Sequence, residues 1–167
     1  MIEKAPTLRD KSILALYYIT GVRAKEPFSI MKEDIWKDDK FLYVRIKREK
    51  VRKDVVVPMP SVLPIALTAN HLQLIISQWE STAPAHQVWF YADNPETARK
   101  YVWKMIKNVN PNAWTHLFRH TRNEYFRGKG KTREQRMGWF GWTDSRTPDK
   151  YTHPNEKDVK DLGSDIE

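Results

Sequence analysis

Between Thr7 and Gly21 the chain offers no continuous polar face: Ile13, Leu14, Leu16, Tyr17, Tyr18 and Ile19 make a helix that is apolar almost all round. Such a helix has no side to turn to water, so it reads as a buried centre on which other elements must pack. Thr7 with Asp10 three residues on supplies its start in the manner of a capping box, and Thr20-Gly21 supplies its stop. Arg23 emerges at that break. The chain of 167 residues is one ordinary domain, long enough to bury a real core around this helix.

The remaining elements are mostly helical. Glu26 and Pro27 fit the first turn of a second short helix, with Ile30, Met31, Ile35 and Trp36 as its apolar contacts. Phe41 to Ile46 and Asp54 to Val57 read as two strands rich in branched and aromatic residues. The basic segment Lys47 to Lys53 lies between them, which predicts a hairpin with a charged tip, and Pro58, Pro60 and Pro64 mark its exit. Asn70 to Trp79 has the spacing of an amphipathic helix. Val88 to Tyr91 fits either a strand or a packed loop. Asn94 and Pro95 open a further helix whose Tyr101, Val102, Met105 and Ile106 are expected to face inward. Helices then follow from about Thr115 to Arg127, closed by Gly128-Lys129-Gly130, and from Thr132 to Gly141. Thr147-Pro148 reads as the start of a brief helix holding Tyr151, and residues 155–167 as a polar, frayed tail.

Charge narrows the function. Lysine and arginine number 29 against 21 acids, a formal charge of +8. The excess is local: six of the nine residues from Arg45 to Lys53 are basic, whereas Asn155 to Glu167 carries five acids and two lysines. A basic stretch of that density suits a polyanion such as nucleic acid, although charge alone equally fits a solvated surface. With no cysteine, disulfides, thiolate metal sites and cysteine nucleophiles are excluded. No apolar run has membrane-spanning length and Met1 to Asp10 lacks a signal-peptide core, so an intracellular, cytoplasmic protein without a membrane partner is expected.

Three boxes carry the chemistry. The first is Thr20-Gly21-Val22-Arg23-Ala24-Lys25-Glu26, and the second is His116-Leu117-Phe118-Arg119-His120. The third is Gly141-Trp142 with Tyr151-Thr152-His153 nine residues on. Taken singly each has a bland reading: a helix stop with a surface arginine, a structural histidine, a core tryptophan, a half-buried tyrosine. In this order and spacing, with Arg9-Asp10 ahead of them, they resemble the catalytic domain of the tyrosine recombinases, the phage-integrase family, which shares its active-site logic with type IB topoisomerases. The resemblance runs from Arg9 to about His153. The wording of Phe118 to Arg122 and of Phe140 to Asp144 is most similar to archaeal and archaeal-virus integrases.

The fold implied is mainly α with a small antiparallel β-sheet at one edge, the catalytic domain occupying 1–154. The activity implied is cleavage and rejoining of double-stranded DNA through a 3′-phosphotyrosine, without metal or other cofactor and without ATP. Arg23 and Arg119 would clamp the non-bridging oxygens, where negative charge grows in the five-coordinate transition state. Tyr151 would attack phosphorus. The resemblance puts the general acid for the 5′ leaving oxygen on a hairpin lysine eight residues before Pro58, which selects Lys50, with Lys47 and Lys53 as competitors. His116 would assist proton transfer or brace the phosphate. Glu26 would orient the first arginine, and His120 is expected to pack behind the second.

Arg45, Lys47, Arg48, Arg52, Lys53 and, on the later helix, Arg122 are the candidates to grip DNA phosphates. Trp142 departs from the commonest pattern, in which a second histidine stands there. An indole N–H donates one hydrogen bond and shuttles no proton, which gives Trp142 a positioning role. Members usually add an N-terminal domain that grips the far side of the duplex, and this chain starts where the catalytic domain starts. It is therefore expected to lack that domain, as a fragment or as a truncated protein. Self-association on DNA, up to a recombining tetramer, is implied by the family, while 155–167 has too few apolar residues to be exchanged between protomers. A DNA-binding module without chemistry and a topoisomerase-like relaxing activity are the alternatives.

Overall fold

A computed structural model describes residues 1–52, 55–58, 61–142, 160 and 162–167, with backbone alone for 49–52 and 55–58. Helix α1 (Leu8–Thr20) is the buried centre that its composition requires. Ile13, Leu14, Ala15, Leu16, Tyr17 and Ile19 have no exposed surface, and α1 packs against α2 (Leu72–Ser81) and α4 (Thr115–Gly128). Thr7 caps it by accepting from the Asp10 N–H at 3.1 Å. Two polar residues buried on α1, Asp10 and Ser12, take partners from the 88–91 segment. The Tyr91 hydroxyl donates to Asp10 at 2.8 Å, and the Trp89 indole donates to Ser12 Oγ at 2.7 Å. Leaving either group unpaired at that depth would cost about 1–3 kcal/mol. The segment is thus a packed loop, with one isolated bridge between Met31 and Gln87.

The region after α1 corrects two expectations. Glu26–Ser29 and Lys32–Asp34 form short 3₁₀ turns, and Ile35 and Trp36 belong to a strand, β1 (Ile35–Lys37). Strand β2 (Phe41–Ile46) pairs with β1 and with β5 (Ser61–Ala66), not with the 54–57 segment. The basic run is itself a strand, β3 (Glu49–Arg52), paired antiparallel with β4 (Val55–Pro58). Partner positions in both ladders, such as Phe41 with Ala66 and Arg52 with Val55, sum to 107. One register therefore runs through a single long hairpin that is interrupted at 47–48. Leu42, Val44 and Ile46 alternate inward on β2, meeting Leu63 and Ile65 of β5 in the core. Pro64 is no exit signal: it sits within β5, an edge strand, where proline is tolerated.

Helix α3 (Pro95–Val109) begins as predicted, with the Glu96 N–H bonded to Asn94 Oδ1 at 2.8 Å. Val102, Met105 and Ile106 are buried, but Tyr101 is 45% exposed and leans on Tyr91 at the surface. Helix α5 (Arg133–Phe140) opens on the Thr132–Gln135 capping box and is pinned to α1 by the Trp139 indole, which donates to the Thr20 carbonyl at 2.8 Å. The expectation of a frayed C-terminus does not hold for its described residues. Leu162 and Ile166 are buried in the common core, the Tyr125 hydroxyl donates to the Asp165 carbonyl at 2.6 Å, and Lys131 pairs with Asp165. No described helix is long and apolar enough to cross a membrane.

Candidate active site

The turn that stops α1 also builds the site. Gly21 has φ +64°, and a Cβ there would lie 2.8 Å from Phe140 and 3.2 Å from the Arg119 backbone, so only glycine lets α4 and α5 close on this corner. Arg23 leaves the turn with its side chain 44% exposed. Its backbone N–H donates to Glu26 Oε2 at 2.6 Å, its guanidinium stands 3.6 Å from Glu26 Oε1, and Nη2 donates to the Gly141 carbonyl at 3.4 Å. Glu26, only 8% exposed, thus contacts both the backbone and the guanidinium of Arg23.

Arg119 projects from the middle of α4 and is 3% exposed. Nη1 donates to the Gly21 carbonyl at 2.9 Å, and Nη2 donates to the Phe140 carbonyl at 2.5 Å. Its guanidinium lies over the rings of Phe140 at 4.8 Å and Trp142 at 5.4 Å. Burial pushes its pKa down to about 9 against the pull of Glu26, and Arg23 and Arg48 push further in the same direction. The group stays charged at neutral pH. Arg23 and Arg119 thus bond to adjacent carbonyls, those of Gly141 and Phe140, and converge at the carboxyl end of α5.

His116 stands in the first turn of α4, three residues before Arg119, which puts both on one face. Partial desolvation lowers its pKa, and the charges of His120, Arg119 and Arg23 lower it further, in that order. His120 is not packed behind Arg119. It is exposed, one turn along, with its ring edge-on to His116 at 5.1 Å. Trp142 is partly buried, with its ring 4.8 Å from that of Phe140.

Two arginines assigned to the DNA surface are not on it. Arg122 is 3% exposed, donates twice to the Tyr18 carbonyl at 3.0 and 2.9 Å, and lies among Tyr18, Tyr125 and Phe126. It ties α4 to the end of α1. Arg48 is also buried, 3.4 Å from Glu26 Oε1. Arg45 and Lys47 do remain half-exposed, both paired with Asp34. Lys50 and Arg52 lie within β3 rather than at a turn, Lys50 opposite Val57. Lys53 and Tyr151 lie outside the described residues.

Sequence reasoning missed the Gly21, Phe140 and Gly141 carbonyls as anchors for the arginines, because backbone acceptors leave no residue-type signal. It also missed Trp139, whose bond to Thr20 fixes α5; an aromatic on the inner face of a short capped helix was the available hint.

The Phage integrase family profile matches residues 1–158. The chain belongs to the phage integrase family. Among curated proteins it is similar to the "Tyrosine recombinase XerD" of Staphylococcus saprophyticus and that of Staphylococcus epidermidis, each 24% identical over 160 residues, covering 92% of this chain and 53% of the relative. The protein of the same name from Staphylococcus aureus is 23% identical over 167 residues, covering 96% of this chain and 55% of the relative. The chain spans about half the length of the curated relatives it matches. No solved structure matches it.

Proposed function

We propose that this chain carries the catalytic centre of a site-specific DNA recombinase of the integrase type, which cleaves and rejoins duplex DNA through a 3′-phosphotyrosine on Tyr151. The observation that carries this reading is a charge imbalance. Arg23 and Arg48 lie within 3.6 Å of one carboxylate, Glu26, and Arg119 feels the charge of all three groups. Three guanidinium groups around a single acid leave a fixed surplus of positive charge beside an exposed histidine, which suits a phosphodiester gaining negative charge in its transition state.

In this mechanism Arg23 and Arg119 hold the non-bridging oxygens. The Tyr151 oxygen attacks phosphorus as its proton leaves, the bond from phosphorus to the 5′ oxygen breaks, and Lys50 delivers a proton to that oxygen. His116 accepts or relays a proton, and Trp142 packs the clamp in place. Rejoining reverses the steps, since the phosphotyrosine conserves the bond energy. Half-exposed Arg45 and Lys47 meet the backbone of the duplex, and protomers assemble on it up to a tetramer. The wording of the second and third boxes favours an integrase of archaeal-virus kind, acting on viral genome integration.

Incubation with a nicked suicide substrate in EDTA tests the reading. A covalent protein–DNA adduct should form and should vanish in Tyr151→Phe. Ordinary DNA binding with no adduct at any protein concentration would instead identify a binding module without chemistry.

A further inference from the structure

Among the described side chains of the basic run, Arg48 alone turns inward: it is 3% exposed, against 45% for Arg45 and 48% for Lys47. It stands where the long hairpin is interrupted, between the last β2–β5 pair, Ile46 with Ser61, and the first β3–β4 pair, Glu49 with Pro58. Three distant parts of the chain meet on its guanidinium. Nη1 donates to Ser61 Oγ at 2.9 Å across the ladder. Nε lies 3.4 Å from Glu26 Oε1, the carboxylate that orients Arg23. The side chain also fills the space beside Gly141, where a Cβ would sit 2.7 Å from Nη1 and 2.8 Å from Cδ.

Burial pushes the Arg48 pKa down, Glu26 opposes that shift, and Arg23 adds to it. An apolar side chain of similar size would fill the same space with no charge to desolvate, so stability alone does not call for an arginine. What arginine adds is direction. The guanidinium donates a hydrogen bond to Ser61 and makes an ion pair with Glu26 at once, fixing the root of β3 relative to the two-arginine corner. Lys50 follows two residues further along that strand.

We propose that Arg48 is a positioning residue: it fixes the lysine-bearing hairpin against Glu26 and the carboxyl end of α5, so that proton delivery by Lys50 to the leaving oxygen depends on it. This rests on the recombinase reading above. A positioned acid contributes roughly 10²–10⁴-fold in rate, and misplacement by about an ångström is enough to lose much of that.

The test compares adduct formation on two suicide substrates, one with the ordinary 5′-oxygen leaving group and one with a 5′-sulfur that leaves without protonation. Arg48→Met should lose roughly 100-fold more on oxygen than on sulfur, the sulfur substrate registering only the removed charge, and Lys50→Ala should give the same pattern at larger amplitude. Arg48→Lys is the milder variant should Arg48→Met fail to fold, and it should lose about tenfold on oxygen alone. Affinity for intact duplex and its salt dependence should not change in Arg48→Lys, which keeps the buried charge beside Glu26. Equal losses on both substrates, or no loss on either, would overturn the inference. Absence of any adduct from the wild-type protein would sink the recombinase reading itself, a result distinct from either.

Discussion

Glu26 and Asp34 are both buried acids set among basic side chains, yet they hold those cations in different ways. Around Glu26 one partner, Arg48, is buried with it, and the other, Arg23, is as exposed as the partners of Asp34 but is tied to the Gly141 carbonyl. Around Asp34 the partners are Arg45 at 3.5 Å and Lys47 at 2.8 Å, each about half-exposed and free to exchange one anion for another. Burial works against ionising Asp34, but hydrogen bonds from Lys47 and the Met31 N–H, with the charges of Lys47 and Arg45, hold its pKa below the usual carboxylate range. Transition-state stabilisation needs donors whose orientation is settled before the reaction. Binding a duplex needs only cations that displace counterions, whatever their orientation. On the proposed reading, one acid serves each requirement.

Substitution of the two acids should give the largest contrast. Glu26→Gln leaves the Arg48 charge buried without compensation and should destabilise the protein by about 3–5 kcal/mol. Asp34→Asn removes a carboxylate whose partners reach water, a loss of about 1 kcal/mol after solvent screening. Urea unfolding at pH 7 measures both, and equal losses would erase the distinction. The acid limb sharpens it. Because the folded pKa of Asp34 is lowered, its contribution is complete above the unfolded value of about 3.9 and disappears as pH falls through the folded one. The gap between wild type and Asp34→Asn should therefore close in strong acid and not at pH 6.

The same contrast separates what the sequence discloses from what it conceals. Local patterns were readable: the Thr7, Asn94 and Thr132 caps, the apolar girth of α1, and the three-residue spacing that puts His116 beside Arg119. Each depends on residues within a turn or two of one another. Strand pairing was misread because register is set across 25 positions, as in Phe41 with Ala66, and because Pro64 resembles a break when its edge position is unknown. Arg48 and Arg122 were placed on the surface because arginine is ordinarily found there. Their true partners, Glu26 and the Tyr18 carbonyl, lie 22 and 104 positions away. The first two boxes meet at one corner, as their order suggested, whereas the buried roles of Arg48 and Trp139 behind them were not legible.

On the exposed side, Lys47→Ala should change binding and leave chemistry alone. Removing one phosphate contact should lower the slope of log affinity against log salt by about 0.9, measured by fluorescence anisotropy on a duplex. Asp34→Asn should act in the opposite sense on affinity, since it frees Lys47 and Arg45 from a competing anion. Adduct formation at saturating DNA should stay within about twofold for both variants. A large loss of cleavage in Lys47→Ala with an unchanged salt slope would move Lys47 from the binding surface to the chemistry.

The smallest effect is expected at the exposed rim of the arginine corner, where His116 faces His120 at 5.1 Å. Desolvation lowers the His116 pKa first, and His120, Arg119 and Arg23 add to it in that order. His120→Ala removes only the second cause, so the His116 pKa should rise toward the ordinary value of about 6.5 without reaching it. An NMR titration of the imidazole resonances reads this directly. A His depressed in the folded state contributes stability above its unfolded pKa and loses it as pH falls through the folded value, so the variant should also unfold less readily than wild type near pH 5. An unchanged His116 titration would mean that the two rings are not coupled, leaving its lowered pKa to desolvation and the two arginines.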